Sequence, residues 1–142
     1  MGIILSIVAG ICMSIQGVFN TRLGDKIGIW ETNITVQATG LILTLLILLI
    51  FGNGHLKDIK TCNKLYLLGG VLGVIIIFTV MKGIKELGPT YSIATILVAQ
   101  LATAALIDAF GLFDTEKIIF SLNKYIGVAI MIVGIVIFKW KR

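Results

Sequence analysis

The chain has few charged residues, one proline and two cysteines. Charged residues make up 13% of its 142 residues, about half the share of a typical soluble domain. Cys12 and Cys62 belong to no CxxC motif and no Cys/His cluster, so we expect no disulfide, no metal site and no cofactor. No Ser/His, Asp/Asp or His/Glu pair falls on adjacent apolar segments, which argues against an enzyme.

Apolar sequence fills almost the whole chain. Hydrophobic residues make up 58% of it, and the mean hydropathy is +1.07. Runs of roughly 20 apolar residues are what an α-helix needs to cross a bilayer. We therefore predict an all-α, multi-pass membrane protein in a bacterial plasma membrane, with one transmembrane domain over 1–142. Its five predicted spans cover residues 3–19, 32–51, 65–81, 90–112 and 125–138.

The first and last spans need separate arguments. The first lacks a basic N-terminal region and a small-residue cleavage site, so we interpret it as a permanent helix rather than a signal peptide. The last is the shortest of the five. If it did not cross, both ends of the chain would lie on the same side of the membrane.

The basic residues are nearly balanced between the two sides of the membrane. With five spans, one side receives five Lys and Arg side chains and the other receives seven. Orientation normally follows an excess of Lys and Arg on cytoplasmic loops. The near balance indicates insertion in both orientations, that is, dual topology. The alternative is one orientation with the C-terminal cluster at 139–142 held inside. Because most basic residues lie at span ends, the net charge of +5 does not indicate nucleic-acid binding.

Small residues follow one face of several spans. Gly10 belongs to a stripe of glycine and serine at every fourth position of the first span, and Gly69 and Gly73 form a GxxxG step in the third. Gly127 lies on a similar face of the fifth span. Small residues at this spacing let helices approach closely in lipid, so we predict helix-packing roles for these four glycines.

Polar side chains mark faces that should avoid lipid. A carboxamide that faces hydrocarbon leaves its donors and acceptors unpaired, at a cost of a few kcal/mol. Carboxamides also form hydrogen bonds with each other across helices. An alternative role for part of this set, including Gln37, is therefore to link neighbouring helices. We predict that the set contacts a substrate; its members are Gln16, Asn20, Gln37, Gln100 and Thr103.

Asp108 is the one carboxylate that the sequence places inside a span. Ionisable groups inside membranes are rare and are functional candidates by default. A role in proton coupling or substrate contact is one interpretation. In the other, Asp108 reaches interfacial water or pairs with Lys117 or Lys124, since it lies about one turn from the end of its span.

Short groups of residues in a fixed order resemble a known family. In this order and spacing they are similar to the YdcZ-like family of the drug/metabolite transporter superfamily. Gln37 and the pair Lys85-Glu86 depart from the family pattern, which has an apolar or aromatic residue and Pro-Arg there. The matching residues are Gly10, Gln16, Asn20 and Leu23, then Gly40, then Gly69, Gly70 and Gly73, then 98–101, 106–108 and 110–113, and finally Lys124 and Gly127.

The resemblance implies an architecture. Full-length members of the superfamily have two five-helix repeats in inverted orientation, so a five-helix chain implies half of such a transporter. An antiparallel copy or a sister subunit would complete it. The related small multidrug exporters use a glutamate in their first helix, whereas this chain has Gln16 and Asn20 there.

These observations predict a membrane transporter of a small polar solute or metabolite. It would act by alternating access as a dual-topology antiparallel homodimer, with the lipid bilayer and its substrate as further partners. Two alternatives remain at this point: a dual-topology channel, and a non-transporting membrane subunit that pairs with a partner protein.

Overall fold

The computed structural model describes residues 1–118 and 121–140. Lys141 and Arg142, two of the basic residues counted above, lie outside the described residues. Within the described part there is no β-strand, and short 3-10 helices occupy Leu56–Lys60, Lys64–Leu68 and Leu112–Asp114. The α-helices are α1 (Gly2–Ile27), α2 (Ile29–Phe51), α3 (Gly69–Leu87), α4 (Pro89–Phe110) and α5 (Leu122–Lys139).

All five α-helices of the described residues are long and apolar enough to cross a membrane. Even the shortest, α5, has 18 residues and so a length of about 27 Å at 1.5 Å per residue. The predicted all-α class with five membrane-spanning helices is confirmed.

Single glycines connect two pairs of consecutive helices. Gly28 separates α1 from α2 with φ of 101°, and Gly88 separates α3 from α4 with φ of 80°. Residues with a Cβ rarely adopt such angles, so glycine is required at both positions. Pro89 follows directly as the first residue of α4, where its missing N–H costs no helical hydrogen bond.

The chain divides into two compact units, Met1–Glu86 and Leu87–Arg142. The first, the three-helix unit, contains α1, α2 and nearly all of α3. The second, the two-helix unit, contains α4 and α5, which pack against each other.

The helices of the three-helix unit pack at one end only. Met81 and Ile84 of α3 are the buried apolar side chains among the described residues. The contacts involve the second half of α1, the first half of α2 and α3 from Gly73 to Lys85. Residues 2–13 and 38–51, in the other halves of α1 and α2, and residues 69–72, in the first turn of α3, are all exposed. We call the contacting region, residues 17–37 and 73–85, the packed end.

Met81 is expected to be the most sensitive apolar position of the packed end. Its side chain is 2% exposed, so Met81→Ala should leave a cavity and cost about 2–5 kcal/mol. Ile76→Ala is the matched control, because Ile76 lies on the same helix and is 53% exposed. Reversible unfolding in mixed micelles measures both. Equal losses for the two variants would contradict the central place of Met81.

Candidate functional site

Three predicted site residues lie in the three-helix unit, in different environments. Asn20 is buried, with 7% of its surface exposed, whereas Gln16 one turn earlier is exposed. Gln37 is half-buried. No side chain or backbone group of the described residues hydrogen-bonds the Asn20 carboxamide. Because every fully buried side-chain nitrogen or oxygen of the described residues has a partner, the unpartnered Asn20 carboxamide is still accessible at the packed end.

Gln37 of α2 contacts Gly73 of α3. A Cβ built on Gly73 would lie 3.3 Å from Nε2 of Gln37, closer than most carbon contacts. The predicted packing glycine therefore makes room for a carboxamide that sequence reasoning assigned to substrate contact. The two residues form one local structure, in which the glycine sets how deeply Gln37 enters between the helices.

Asn33 holds α2 against α3 beside that contact. Its Nδ2 donates a hydrogen bond of 2.9 Å to the backbone carbonyl of Val74, and its side chain is 3% exposed. One turn away, the Trp30 and Phe78 rings stack with centroids 5.0 Å apart. Sequence analysis did not select Asn33 as a site residue. The available signal was its position four residues before Gln37, on the same helix face.

The buried threonines of the packed end are satisfied within their own helices. The Thr21 hydroxyl donates to the carbonyl of Gly17 at 2.8 Å, and the Thr32 hydroxyl donates to that of Gly28 at 2.8 Å. Such bonds to the preceding turn are the usual solution for a hydroxyl inside an apolar helix. The threonines therefore have little need of an external partner, unlike Asn20.

An ion pair lies at the outer edge of the packed end. The Lys85 ammonium of α3 lies 2.6 Å from a carboxylate oxygen of Asp25 in α1. Both side chains are partly open to solvent, with 57% and 38% of their surfaces exposed. Sequence reasoning did not find this contact, because the two residues are 60 positions apart and neither carries a motif.

The other predicted site residues lie in the two-helix unit. Gln100 and Thr103 of α4 are exposed, and the Thr103 hydroxyl donates to the carbonyl of Ala99 at 2.9 Å. Asp108 is half-buried. Its backbone carbonyl accepts a bond from the Ile118 N–H at 2.9 Å, and its carboxylate has no partner in the part of the chain that the structure describes.

The four predicted packing glycines have unequal surroundings. Gly73 contacts Gln37, as described above. A Cβ built on Gly10, Gly69 or Gly127 would meet no other atom within 4 Å. These three positions can therefore contact a further helix without rearrangement of the chain itself.

The donor set does not suggest a metal centre. Across residues 1–118 and 121–140, no three His, Cys, Asp or Glu side chains come together as a metal site would require. The polar groups at the packed end are carboxamides and hydroxyls, which bind neutral or weakly charged molecules by hydrogen bonds.

A family profile matches residues 1–137, almost the whole chain, and is described as "Putative inner membrane exporter, YdcZ". The chain belongs to the YdcZ family. The membership predicted from the residues is thereby confirmed. Neither the search of curated proteins nor that of solved structures found a match.

Membership of the YdcZ family agrees with the five apolar helices in two respects. It establishes membrane transport as the general activity, and it places the chain in an inner membrane as a multi-pass protein. The family consists of exporters rather than enzymes.

Proposed function

We propose that this YdcZ-family chain is half of an alternating-access exporter for a small polar solute, and that an antiparallel second copy completes it. The observation that carries the proposal is the Asn20 carboxamide, in a chain whose family exports solutes: the residue is largely buried, its polar atoms are still accessible, and no group of the described residues hydrogen-bonds them. Such a carboxamide is free to donate to and accept from a bound polar solute.

Each unit carries polar side chains that we propose as solute contacts. Gln16 and Asn20 are one turn apart on α1, and Gln37 lies at the same packed end, beside Gly73. Gln100 and Thr103 are one turn apart on α4. Amide groups offer neutral donors and acceptors, which suits a polar or weakly charged solute better than a strong cation.

An antiparallel arrangement follows from the number of spans. With five crossings, the two ends of the chain lie on opposite sides of the membrane. An inverted second copy therefore reproduces the inverted-repeat plan of larger transporters. The near balance of basic residues, five against seven, favours the dual insertion that such a dimer needs. Gly10, Gly69 and Gly127 are available to pack against the second copy.

Asp108 is the proposed proton-coupling group. Its carboxylate is half-buried and has no ion-pair partner within the described residues. Ionisable groups in this setting mark ion and proton pathways in membrane proteins. In this proposal Asp108 replaces the first-helix glutamate that the small multidrug exporters use.

Topology in intact cells tests the antiparallel dimer directly. In a Cys12→Ser/Cys62→Ser background, Asn53→Cys places one thiol in the connection after α2. An impermeant thiol reagent is applied before and after permeabilisation. Labelling of about half of the molecules from outside supports dual topology, as the weak charge bias predicts. All-or-none labelling overturns the homodimer and redirects attention to a sister subunit.

Two further measurements separate the alternatives. A channel would dissipate a solute gradient at rates that do not saturate, whereas an alternating-access exporter saturates. A non-transporting subunit would form no stable dimer when isolated, and Gln16→Ala or Gln100→Ala would weaken partner binding instead of flux.

Water access to position 20 is expected in lipid vesicles. In the same cysteine-free background, Asn20→Cys should react at least ~10-fold faster with a charged thiol reagent than Phe19→Cys, since the reactive thiolate forms in water and not in hydrocarbon. Phe19 is the matched control, because it is adjacent on α1 and its apolar side chain is 68% exposed. Equal rates would contradict a hydrated solute site at Asn20.

A further inference from the structure

The contact between Asp25 and Lys85 joins the C-terminal ends of α1 and α3. Its two charged atoms are 2.6 Å apart, and the residues come from distant parts of the sequence. The positive charge of Arg22, on the same helix, also attracts the Asp25 carboxylate. The other charged groups at this end are Lys26, Glu31, Lys82 and Glu86, so the ion pair lies among charges of both signs.

The exposure of the pair limits what it does for stability. With 57% and 38% of the two side chains exposed, water and salt screen the attraction, and such surface pairs contribute little net free energy. An ion pair of this kind can therefore break and re-form at small cost, which suits a moving contact better than a permanent one.

The ion pair lies close to Asn20 along α1. Asp25 follows Asn20 by five residues on α1, which is roughly 7 Å along the helix axis, towards the helix end. Gly24 lies between them and contacts Met81 and Thr32. On the far side of Asn20, residues 2–13 of α1 are exposed. Asn20 thus lies between the packed C-terminal end of α1, which carries the ion pair, and the exposed N-terminal half of α1.

We propose that Asp25 and Lys85 form a gate that controls access of water and solute to Asn20 from the end of the three-helix unit where α1 meets α2. This inference rests on the proposed alternating-access function. The ion pair forms when that end closes and breaks when it opens. In an antiparallel dimer, the gates of the two copies lie on opposite sides of the membrane, so each side carries one gate.

The test is the rate at which Asn20→Cys reacts with a charged methanethiosulfonate reagent in purified, reconstituted protein. The background is Cys12→Ser/Cys62→Ser. Asp25→Asn and Lys85→Gln should each raise the rate severalfold, because either change removes the attraction that closes the end. The reversed pair Asp25→Lys/Lys85→Asp should return the rate towards that of the parent. Thermal unfolding measurements check that every variant is folded.

Lys82→Gln is the matched control. Lys82 lies one turn before Lys85 on α3, is exposed, and makes no ion pair with a described residue. Its rate should equal that of the parent. High salt should raise the rate in the parent and have little effect in Asp25→Asn, since salt screens exposed charges.

The outcomes separate the gate from the proposed function. Unchanged rates in both single variants, an equal rise in Lys82→Gln, or a reversed pair that stays fast each overturn the gate. A cysteine at position 20 that is unreactive in every variant also overturns it. Labelling of Asn53→Cys in one orientation only overturns the antiparallel dimer instead, and leaves a positive result at the ion pair standing, because the rate is read from the copies whose gate faces the reagent and needs no transport.

Discussion

Gly10→Leu is expected to dissociate the dimer while each copy stays folded. A side chain at position 10 meets no atom of the same chain within 4 Å, so leucine causes no clash within the fold. In the proposed dimer, the small-residue face of α1 contacts a helix of the second copy, and a bulky residue there prevents close approach. Cross-linking or subunit counting in vesicles should show at least ~10-fold less dimer, as expected for loss of a close-packed contact of 1.4 kcal/mol or more.

Gly17→Leu provides the contrast, because it alters the same helix inside the chain. A Cβ on Gly17 would lie 2.9 Å from Cδ1 of Ile84 and 3.2 Å from Cγ1 of Val80. Leucine must displace the Ile84 and Val80 side chains or move α1 away from α3, at a cost of about 1–3 kcal/mol for overpacking. Unfolding in mixed micelles should show this loss for Gly17→Leu but not for Gly10→Leu. A stable dimer in Gly10→Leu would contradict the role assigned to the α1 face.

Two variants with opposite charge bias are expected not to assemble alone and to assemble when mixed. Lys57→Gln/Lys60→Gln leaves three basic side chains on one side against seven on the other. Orientation follows this bias, so each variant should insert in one orientation. The oppositely biased variant has seven against three and carries the changes Lys26→Gln, Lys82→Gln, Lys141→Gln, Arg142→Gln, Asn53→Lys and Asn123→Lys.

Co-purification of differently tagged copies measures the assembly. Copies of one biased variant should not co-purify with each other, because every copy has the same orientation and an antiparallel dimer needs both. Copies of the two opposite variants should co-purify as strongly as the parent does. Strong self-association of a variant shown by labelling to have a single orientation would demonstrate a parallel dimer and contradict the proposal.

Hydropathy predicted the helices of this chain well because a bilayer imposes one requirement on every span. A span must satisfy its backbone hydrogen bonds internally and present apolar side chains, and both properties are local in sequence. The limit appears at the helix ends. The first apolar run stops at residue 19, yet α1 continues to Ile27, because the polar and charged residues that follow are also compatible with a helix. Only Gly28, with its positive φ, ends it.

The candidate site was less predictable because its contacts depend on which helix faces meet. The sequence identified Gln37 and Gly73 separately, as a substrate contact and a packing residue, while the structure brings them together. The bond from Asn33 to Val74 and the pair of Asp25 with Lys85 join residues 41 and 60 positions apart. Periodicity gives the face of a helix, but it does not say which neighbour covers that face.

The connections between helices have very unequal lengths, and this determines where a protease can cut. Gly28 and Gly88 each form a one-residue connection, too short to enter a protease active site. The connections after α2 and α4 are longer, and in both all the described residues except Gly111 are exposed. With five spans, these two long connections emerge on the same face. A protease added outside sealed cells should therefore cut a copy at both connections or at neither, so that the fraction left intact counts the copies with the opposite orientation.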